Sequence, residues 1–230
     1  MFSEALASNQ GPNSVSLEHR ECRYCQFMNA ELPVKHSAWD KPVLESANFT
    51  VVPSLGHLVP GWLLVIPRFH YASLGALSPD LVREFLMLKA ESESLLNSIY
   101  GPVVKFEHGS CSHMKAGACI DHAHMHLVPT AEDFGSHLAH LFGGERLTDI
   151  GRISLKWASR PYLLYENAMG IATVYETPLL PSQFMRMLIA QRLGVLERYD
   201  WRKYPGIDEL KTFWRDLESI RRNRNVICAR

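Results

Sequence analysis

The chain has 230 residues, and its 24 lysines and arginines equal its 24 aspartates and glutamates, so the formal net charge is zero. This length fits one large domain, or one domain with a substantial extension, that buries its own core without disulfide staples. The neutral charge argues against long nucleic acid as a partner, and no apolar run is long enough to cross a membrane.

Cysteine usage indicates a reducing compartment. The chain carries five cysteines, an odd number, and only Cys22 and Cys25 form a CxxC pair. This pattern is untypical of a disulfide framework and favours a cytoplasmic protein. Residues 1–19 lack the basic and apolar regions of a secretory signal, so we expect them to form a flexible N-terminal arm.

The segment after the arm alternates strand and helix patterns. Residues 43–52 and 62–67 are rich in apolar and β-branched side chains, and the Pro- and Gly-containing loop between them predicts a hairpin-like connection. Residues 78–99 begin with Ser-Pro-Asp, an N-cap followed by proline, and repeat apolar residues at helical spacing. Residues 102–108 and 120–128 predict two further strands. This order predicts an α+β fold with an antiparallel sheet.

The pattern changes after about residue 150. The elements predicted there are two strands in residues 157–178 around a turn at 167–170, a helix over residues 182–193 that Gly194 ends, and a helix over residues 207–220. No linker precedes this part. We therefore expect a main domain of residues 20–150 and a C-terminal α/β extension, residues 151–230, packed on it.

Three histidines alternate with apolar residues in the last strand of the main domain. His122, His124 and His126 stand at every second position, so a strand would project all three rings from one face. The rings could decorate a solvated strand, bind a metal ion, or supply a nucleophilic imidazole for reaction at phosphorus. A neutral imidazole is a good nucleophile near pH 7, and a neighbouring ring can orient it.

The motif and its surroundings resemble the histidine triad (HIT) family. Residues 122–128 fit the pattern His-φ-His-φ-His-φ-φ, in which φ is apolar, at every position. Residues 61–70, GWLLVIPRFH, are similar to the family strand Gly-His-x-Leu-Val-Ile-Pro-Lys-x-His, although Trp62 replaces its first histidine. FEHG and the later GAC resemble the Asn-x-Gly and Gly-x-Ser parts of the family phosphate loop. The resemblance covers roughly residues 20–130.

The resemblance implies a HIT-like antiparallel sheet with packed helices and a nucleotidyl-transfer mechanism. His124 would attack the α-phosphorus of a nucleotide derivative and form a covalent nucleotidyl-histidine. His126 would bind the phosphoryl oxygens or help the leaving group depart. The resemblance implies further substrate-binding residues, namely Glu107, His108, Gly117, Cys119 and Ser54. Glu107 stands where many relatives have asparagine, and an ionised carboxylate cannot donate a hydrogen bond.

The CxxC pair suggests a metal site. Cys22 and Cys25 are three residues apart, so both thiolates can reach one ion. The resemblance to the zinc-binding HIT branch implies that His70 and His122 complete a closed structural zinc site with two Cys and two His ligands. The alternative is a pair of reduced surface thiols and a buried, hydrogen-bonded His70.

The C-terminal extension contains a cluster of arginine and aromatic side chains. Its members are Gln183, Arg186, Arg192, Trp201 and Arg202. Such a cluster could bind phosphate or stack on a base. The alternative is that solvated arginines lie over a small core. The extension itself could cap the active site or form the surface of a homodimer.

The sequence therefore predicts an enzyme that binds a nucleotide-containing small molecule and releases a nucleoside monophosphate. The third histidine of the triad favours hydrolysis, because transferase and phosphorylase branches of the family commonly have glutamine there. A nucleotidyltransferase with the same intermediate is the nearest alternative. A metallohydrolase with triad zinc ligands and a nucleotide-binding module without turnover remain open as alternatives from other classes.

Overall fold

The computed structural model of the protein describes residues 22–28, 38–110, 120–177 and 180–228. The expected N-terminal arm, Gly117 and Cys119 lie outside these residues. Within the described part of the chain, no helix is both long enough and apolar enough to span a membrane.

The described residues form strands and helices in alternation. The strands are β1 Leu44–Glu45, β2 Phe49–Pro53, β3 Leu63–Pro67, β4 Val103–Gly109, β5 Met125–Pro129, β6 Glu145–Leu147, β7 Tyr162–Glu166 and β8 Ala172–Glu176. The helices are α1 Arg23–Met28, α2 Pro79–Tyr100, α3 Gly135–Phe142, α4 Ser154–Trp157, α5 Phe184–Arg192 and α6 Ile207–Cys228. Short 3-10 turns occur at Leu74–Ala76, Ile150–Arg152 and Leu196–Arg198.

These strands belong to one antiparallel sheet, which confirms the predicted α+β class. Their spatial order is β1-β2-β3-β5-β4-β7-β8-β6. Strand β7 pairs with β4, so the C-terminal extension continues the sheet of the main domain. Strand β6 pairs with β8, so the sheet crosses the boundary that the sequence suggested near residue 150.

Helices cover both faces of the sheet. Successive side chains of each strand point to opposite faces, so each strand contributes to two cores. One face packs against α2 and α6 through a core that includes Val65, Phe85, Met125 and Phe213. The opposite face packs against α3 and α5 through a second core. Its members include Trp62, Phe106, Val128, Leu138 and Ile189. The triad strand β5 lies in the middle of the sheet, between β3 and β4.

A buried group of charges ties α2 to the sheet on the first of these faces. The ammonium of Lys105, which is fully buried, lies 2.6 Å from a carboxylate oxygen of Glu93 and 2.9 Å from one of Glu166. Lys89 lies 2.6 Å from the other oxygen of Glu166. Two lysines and two glutamates therefore balance one another where α2 crosses β4 and β7, and none of the four charges is buried alone.

The predicted helix over residues 78–99 is confirmed as α2. The side-chain oxygen of its N-cap Ser78 accepts a hydrogen bond from the backbone N–H of Leu81, at 3.5 Å, and Pro79 occupies the first helical position. The helix ends at Tyr100, and the following Gly101 has a φ of 85°, which is unfavourable for other residues. The two predicted C-terminal strands and the turn between them are also present as β7 and β8.

Two predicted strands differ from the observed ones. The strand predicted over residues 43–52 is divided into β1 and β2, because Asn48 turns the chain and donates two hydrogen bonds of 2.7 Å to the Glu84 carboxylate. The strand predicted from residue 120 begins only at Met125. Before Met125 the backbone forms a hydrogen bond outside the sheet: the N–H of Ala123 donates to the carbonyl of Tyr71 at 2.6 Å.

Candidate functional site

Two of the three triad rings lie side by side in one pocket. The ring centroids of His124 and His126 are 4.9 Å apart, and both side chains are more than nine-tenths buried. The ring of His122 belongs instead to a neighbouring group with two cysteines. The triad is thus divided between two sites, which the alternating pattern alone did not indicate.

The hydrogen bond of His124 defines which of its nitrogens is nucleophilic. Nδ1 lies 2.6 Å from the backbone carbonyl oxygen of His122, and a carbonyl only accepts, so Nδ1 carries the hydrogen. Burial lowers the pKa of His124 to about 4. The ring is therefore neutral near pH 7, and Nε2 keeps a free lone pair.

Nδ1 of His126 accepts a hydrogen bond, whereas Nδ1 of His124 donates one. The indole Nε1–H of Trp62 donates to Nδ1 of His126 at 3.0 Å, so this nitrogen is the acceptor. The ring also stacks on Phe106, with 4.2 Å between centroids and an interplanar angle of 10°. Burial lowers the pKa of His126 well below its usual range, and the positive charges of neighbouring groups, including Arg186, add to this effect.

The pocket beside these rings also contains two of the expected substrate-binding residues. Ser54 and His108 line it, and both are more than nine-tenths buried. Apolar and aromatic side chains that the sequence analysis did not single out complete its walls on this side: Tyr24, Leu55, Phe106 and Ile120. A mostly apolar pocket with a few convergent polar groups is typical of a small-molecule site.

Glu107 does not line this pocket, although the sequence analysis expected it to bind substrate together with His108. Neighbouring residues of a strand point to opposite faces, so Glu107 of β4 faces the α2 side of the sheet while His108 faces the pocket. Its carboxyl group accepts hydrogen bonds from the Leu74 N–H at 2.7 Å and the Tyr162 hydroxyl at 2.6 Å. Complete burial raises the pKa of Glu107 to about 8. These hydrogen bonds connect β4 with β7 and with the 3-10 turn at Leu74–Ala76.

The C-terminal extension supplies a third side of the pocket. Gln183, Arg186 and Trp201 line it, whereas Arg192 and Arg202 are exposed. Gln183 is the one residue other than glycine with a positive φ in the described part of the chain, at 66°. Such strained residues tend to cluster at functional sites. The helix predicted from residue 182 therefore begins only at Phe184.

Arg186 is buried, unlike the solvated arginines of the alternative interpretation, and fastens the extension to the main domain. Its Nε donates to the carbonyl of Tyr199 at 3.0 Å, and its two terminal nitrogens donate to the carbonyls of Leu55 and Gly56. The guanidinium lies over the Trp62 ring, 4.7 Å from the centroid. The loop after β2 is therefore held against the extension at the edge of the pocket.

The four expected metal ligands come together next to the triad. The ligand atoms of Cys22, Cys25, His70 and His122 all lie within 4.8 Å of one another, although they come from three separate segments. This group could hold a metal ion. His124 and His126 do not belong to this group. Among the described residues, these four are the His, Cys, Asp and Glu side chains that lie close enough together to hold a metal ion.

The distances within this group fit tetrahedral coordination. Sγ of Cys22 and Sγ of Cys25 lie 3.4 and 3.5 Å from Nδ1 of His122, and Sγ of Cys25 lies 3.4 Å from Nδ1 of His70. Tetrahedral zinc with ordinary bond lengths separates sulfur and nitrogen ligands by roughly 3.6 Å. Nε2 of His122 donates to the carbonyl of Pro67 at 2.8 Å, which turns Nδ1 toward the group. Hydrogen bonds from the Cys25 thiol and the imidazoles lower the pKa of Cys22, which favours a thiolate.

Fold and site together define an α+β protein with a histidine-lined pocket beside a Cys/His group. No family model and no curated protein matches the chain. Solved structures of HIT family proteins are similar to about half of it. A HIT family protein from Bacillus anthracis is 20% identical over 49% of this chain and 75% of its own, with a TM-score of 0.41.

Two further solved structures show the same degree of similarity. A histidine triad nucleotide-binding protein from Sulfolobus tokodaii, described as hypothetical, is 22% identical over 49% of this chain and 70% of its own, with a TM-score of 0.40. A HIT family hydrolase from Clostridium thermocellum is 18% identical over 49% of this chain and 92% of its own, with a TM-score of 0.35. These similarities are too distant to assign the chain to a family.

Proposed function

We propose that the protein hydrolyses nucleotide phosphoanhydrides or related nucleotide conjugates and releases a nucleoside monophosphate through a covalent nucleotidyl-histidine. The observation that carries this proposal is the hydrogen bond of 2.6 Å from Nδ1 of His124 to the carbonyl of His122. It leaves Nε2 of a buried, neutral imidazole as a nucleophile beside a second imidazole in a pocket. The HIT signature of residues 122–128 supplies the nucleotide as substrate class.

The proposed reaction has two steps at the α-phosphorus. Nε2 of His124 forms a bond to phosphorus with its lone pair, and the bond from phosphorus to the leaving-group oxygen breaks. Water then attacks the same phosphorus and loses a proton to solvent, the N–P bond breaks, and its electron pair returns to Nε2 of His124. His126 lies beside the reacting ring and binds an oxygen that gains negative charge, a contribution that is often large in a dry site. Ser54 and His108 contact the substrate from the adjoining walls.

A structural zinc ion fits the group of Cys22, Cys25, His70 and His122 and belongs to the proposal. Bound zinc supplies rigidity there, because all four protein ligands close its coordination shell and leave no position for water. The carbonyl that orients His124 belongs to His122, so a fixed His122 also fixes the nucleophile. Reduced thiols are required, which agrees with the proposed cytoplasmic location.

The test is release of nucleoside monophosphate from dinucleoside polyphosphates and nucleotide sugars, compared between the wild type and His124→Ala. We expect release by the wild type, a nucleotidyl adduct on His124 detectable by mass spectrometry after acid-free quenching, and loss of both in the variant. His140→Ala, a change at an exposed histidine of α3, is the control and should behave as the wild type. Equal release by His124→Ala would contradict the covalent mechanism.

The same experiment separates hydrolysis from the other proposed activities. A nucleotidyltransferase would form the adduct but release product only when an acceptor such as phosphate or a sugar phosphate is added. A binding module would retain nucleotide without forming adduct or product. A metallohydrolase would lose activity in proportion to metal removal and would form no adduct.

A further inference from the structure

Trp62 occupies a position from which it decides the hydrogen-bonding state of His126. It precedes β3, whose residue Leu64 lies opposite His126 in the sheet ladder, and its indole reaches the imidazole from the same face. The indole Nε1–H donates to Nδ1 of His126 at 3.0 Å. Trp62 itself is fully buried, so water does not compete for this bond.

We propose that Trp62 is a positioning residue that keeps His126 neutral with its hydrogen on Nε2, and that the enzyme therefore acts on substrates whose leaving groups depart as anions. The catalytic part of this inference rests on the proposed function; the state of His126 does not. Phosphoanhydride leaving groups, such as phosphate, pyrophosphate or a nucleotide, meet this requirement. The amines of nucleoside phosphoramidates do not.

The indole of Trp62 donates a hydrogen bond and accepts none in the ring plane. Nδ1 of His126 must therefore present its lone pair to Trp62. In a neutral imidazole the hydrogen then belongs to Nε2, the nitrogen that remains for a molecule in the pocket. An imidazolium would place a second N–H against the indole N–H, 3.0 Å away, with both groups buried.

Two neighbours reinforce this state. Phe106 stacks on the imidazole at 4.2 Å and nearly parallel, which opposes rotation of the ring away from the indole. The guanidinium of Arg186 lies 4.7 Å from the centre of the Trp62 ring. A cation over an indole face draws electron density from the ring and makes its N–H a stronger donor. The same charge disfavours a second positive charge on His126.

The chemical consequence concerns the leaving group. A neutral imidazole that gave away its Nε2 hydrogen would become an imidazolate, which is far too basic to form near pH 7. His126 can therefore donate a hydrogen bond to developing negative charge, as neutral histidines do at other active sites, but it does not deliver a proton. The leaving-group oxygen departs with the electron pair of its bond to phosphorus and is protonated later by solvent, if at all.

The state of His126 is tested directly by nitrogen NMR of the imidazoles in the full-length protein. His126→Gln identifies the resonances. We expect one protonated nitrogen, Nε2, and one unprotonated nitrogen, Nδ1, with no change between about pH 5 and pH 8. Trp62→Phe removes the N–H but keeps a ring beneath Arg186, and there we expect Nδ1 to take up a proton on acidification. His140→Ala, a change at an exposed histidine of α3, keeps the indole N–H and should leave the pattern of His126 unchanged. A protonated Nδ1 in the wild type at neutral pH would overturn the proposal.

Leaving-group dependence tests the catalytic part. A positioned general acid contributes roughly 10²–10⁴-fold when the leaving group needs a proton. We therefore expect kcat/KM of the wild type for an adenosine phosphoramidate to be at least about 100-fold below that for a dinucleoside polyphosphate. Trp62→Phe should reduce this ratio. Equal turnover of both substrates by the wild type would overturn the inference and leave the proposed function intact. Absence of product from all conjugates would contradict the proposed function, while the NMR result would still decide the state of His126.

Discussion

His122 and His124 stand two residues apart but direct their rings into different sites. Nδ1 of His122 lies 3.4 Å from the Cys22 sulfur, whereas Nδ1 of His124 donates to the carbonyl oxygen of His122 at 2.6 Å. The residue that would bind metal through its side chain thus orients the proposed nucleophile through its backbone. Loss of a metal ligand from the group of Cys22, Cys25, His70 and His122 should therefore disturb the neighbouring pocket as well as the fold.

Replacement of a metal ligand tests this connection. We expect Cys25→Ser to lower the zinc content of the purified protein, to lower its melting temperature, and to reduce kcat by about 10–100-fold because His122 loses its anchor. Elemental analysis, thermal unfolding and product release measure the three effects. Cys228→Ser, a change at a cysteine that is not among the four proposed ligands, is the matched control. Stoichiometric zinc in Cys25→Ser would show that these four residues do not form the site.

The buried charges between α2 and the sheet predict a large effect on stability. Glu166→Gln would leave the two buried ammonium groups of Lys89 and Lys105 with less compensation, so we expect a loss of about 3–5 kcal/mol in the free energy of unfolding. Urea unfolding followed by circular dichroism measures it. The exposed pair of Arg222 and Glu218 provides the comparison, since Glu218→Gln should cost less than about 1 kcal/mol. Similar values for both variants would contradict the structural role of the cluster.

The buried carboxyl group of Glu107 should lower the free energy of unfolding as the pH rises. The pKa of Glu107 is about 8 in the folded protein against an ordinary value of 4.5, so between these limits the folded state binds more protons than the unfolded state. The contribution is fully present below about pH 4.5 and is lost as the pH approaches 8. We expect it to be on the order of a few kcal/mol. Urea unfolding at about pH 5 and pH 8 should show this change in the wild type but not in Glu107→Gln. Parallel pH profiles of the two proteins would refute the assignment.

The buried imidazole of His57 should have the opposite effect and lower the free energy of unfolding as the pH falls. It is fully buried, and burial followed by the charge of Arg186 lowers its pKa from 6.5 to about 3. The unfolded state therefore binds more protons between these values, so stability is complete above about pH 6.5 and falls as the pH decreases. We expect the wild type to lose about 2–3 kcal/mol more than His57→Leu between pH 7 and pH 4.5. His140→Ala should keep the wild-type slope, and an unchanged slope in His57→Leu would argue against a neutral, buried His57.

Through Trp201, we expect the C-terminal extension to contribute to substrate binding. Its side chain lines the pocket, whereas the nearby Tyr204 is exposed and does not line it. We expect Trp201→Ala to raise KM about tenfold, equivalent to about 1.4 kcal/mol, with a smaller change in kcat, because an aromatic wall is lost and the imidazoles are retained. Steady-state kinetics with a dinucleoside polyphosphate measures both constants. Tyr204→Ala should leave them unchanged. A KM unaffected by Trp201→Ala would place substrate recognition in the main domain alone.

The Cys/His group and the triad could be expected from the sequence because their signals are local or follow motifs. The spacing of Cys22 and Cys25 and the alternation of His122, His124 and His126 are visible in the chain itself, and the strand after Gly61 supplied His70. The helix over residues 78–99 was equally clear, since its cap and its apolar repeat agree. The cysteine pair, the alternating histidines and the helix depend on neighbouring residues, for which spacing determines geometry. His70 was expected only from the resemblance of residues 61–70 to the family strand.

The remaining features depended on contacts between distant segments, which spacing does not encode. The face to which Glu107 points follows from the register of β4 against β5 and β7, and a shift of one residue would reverse it. The proximity of Trp62, His126 and Arg186 joins three segments separated by about 60 residues each. The sequence by itself determined which chemical groups the protein carries and where the long helix α2 lies. The tertiary structure alone decided which groups meet in the pocket, because side-chain packing across a sheet is a property of all its strands together.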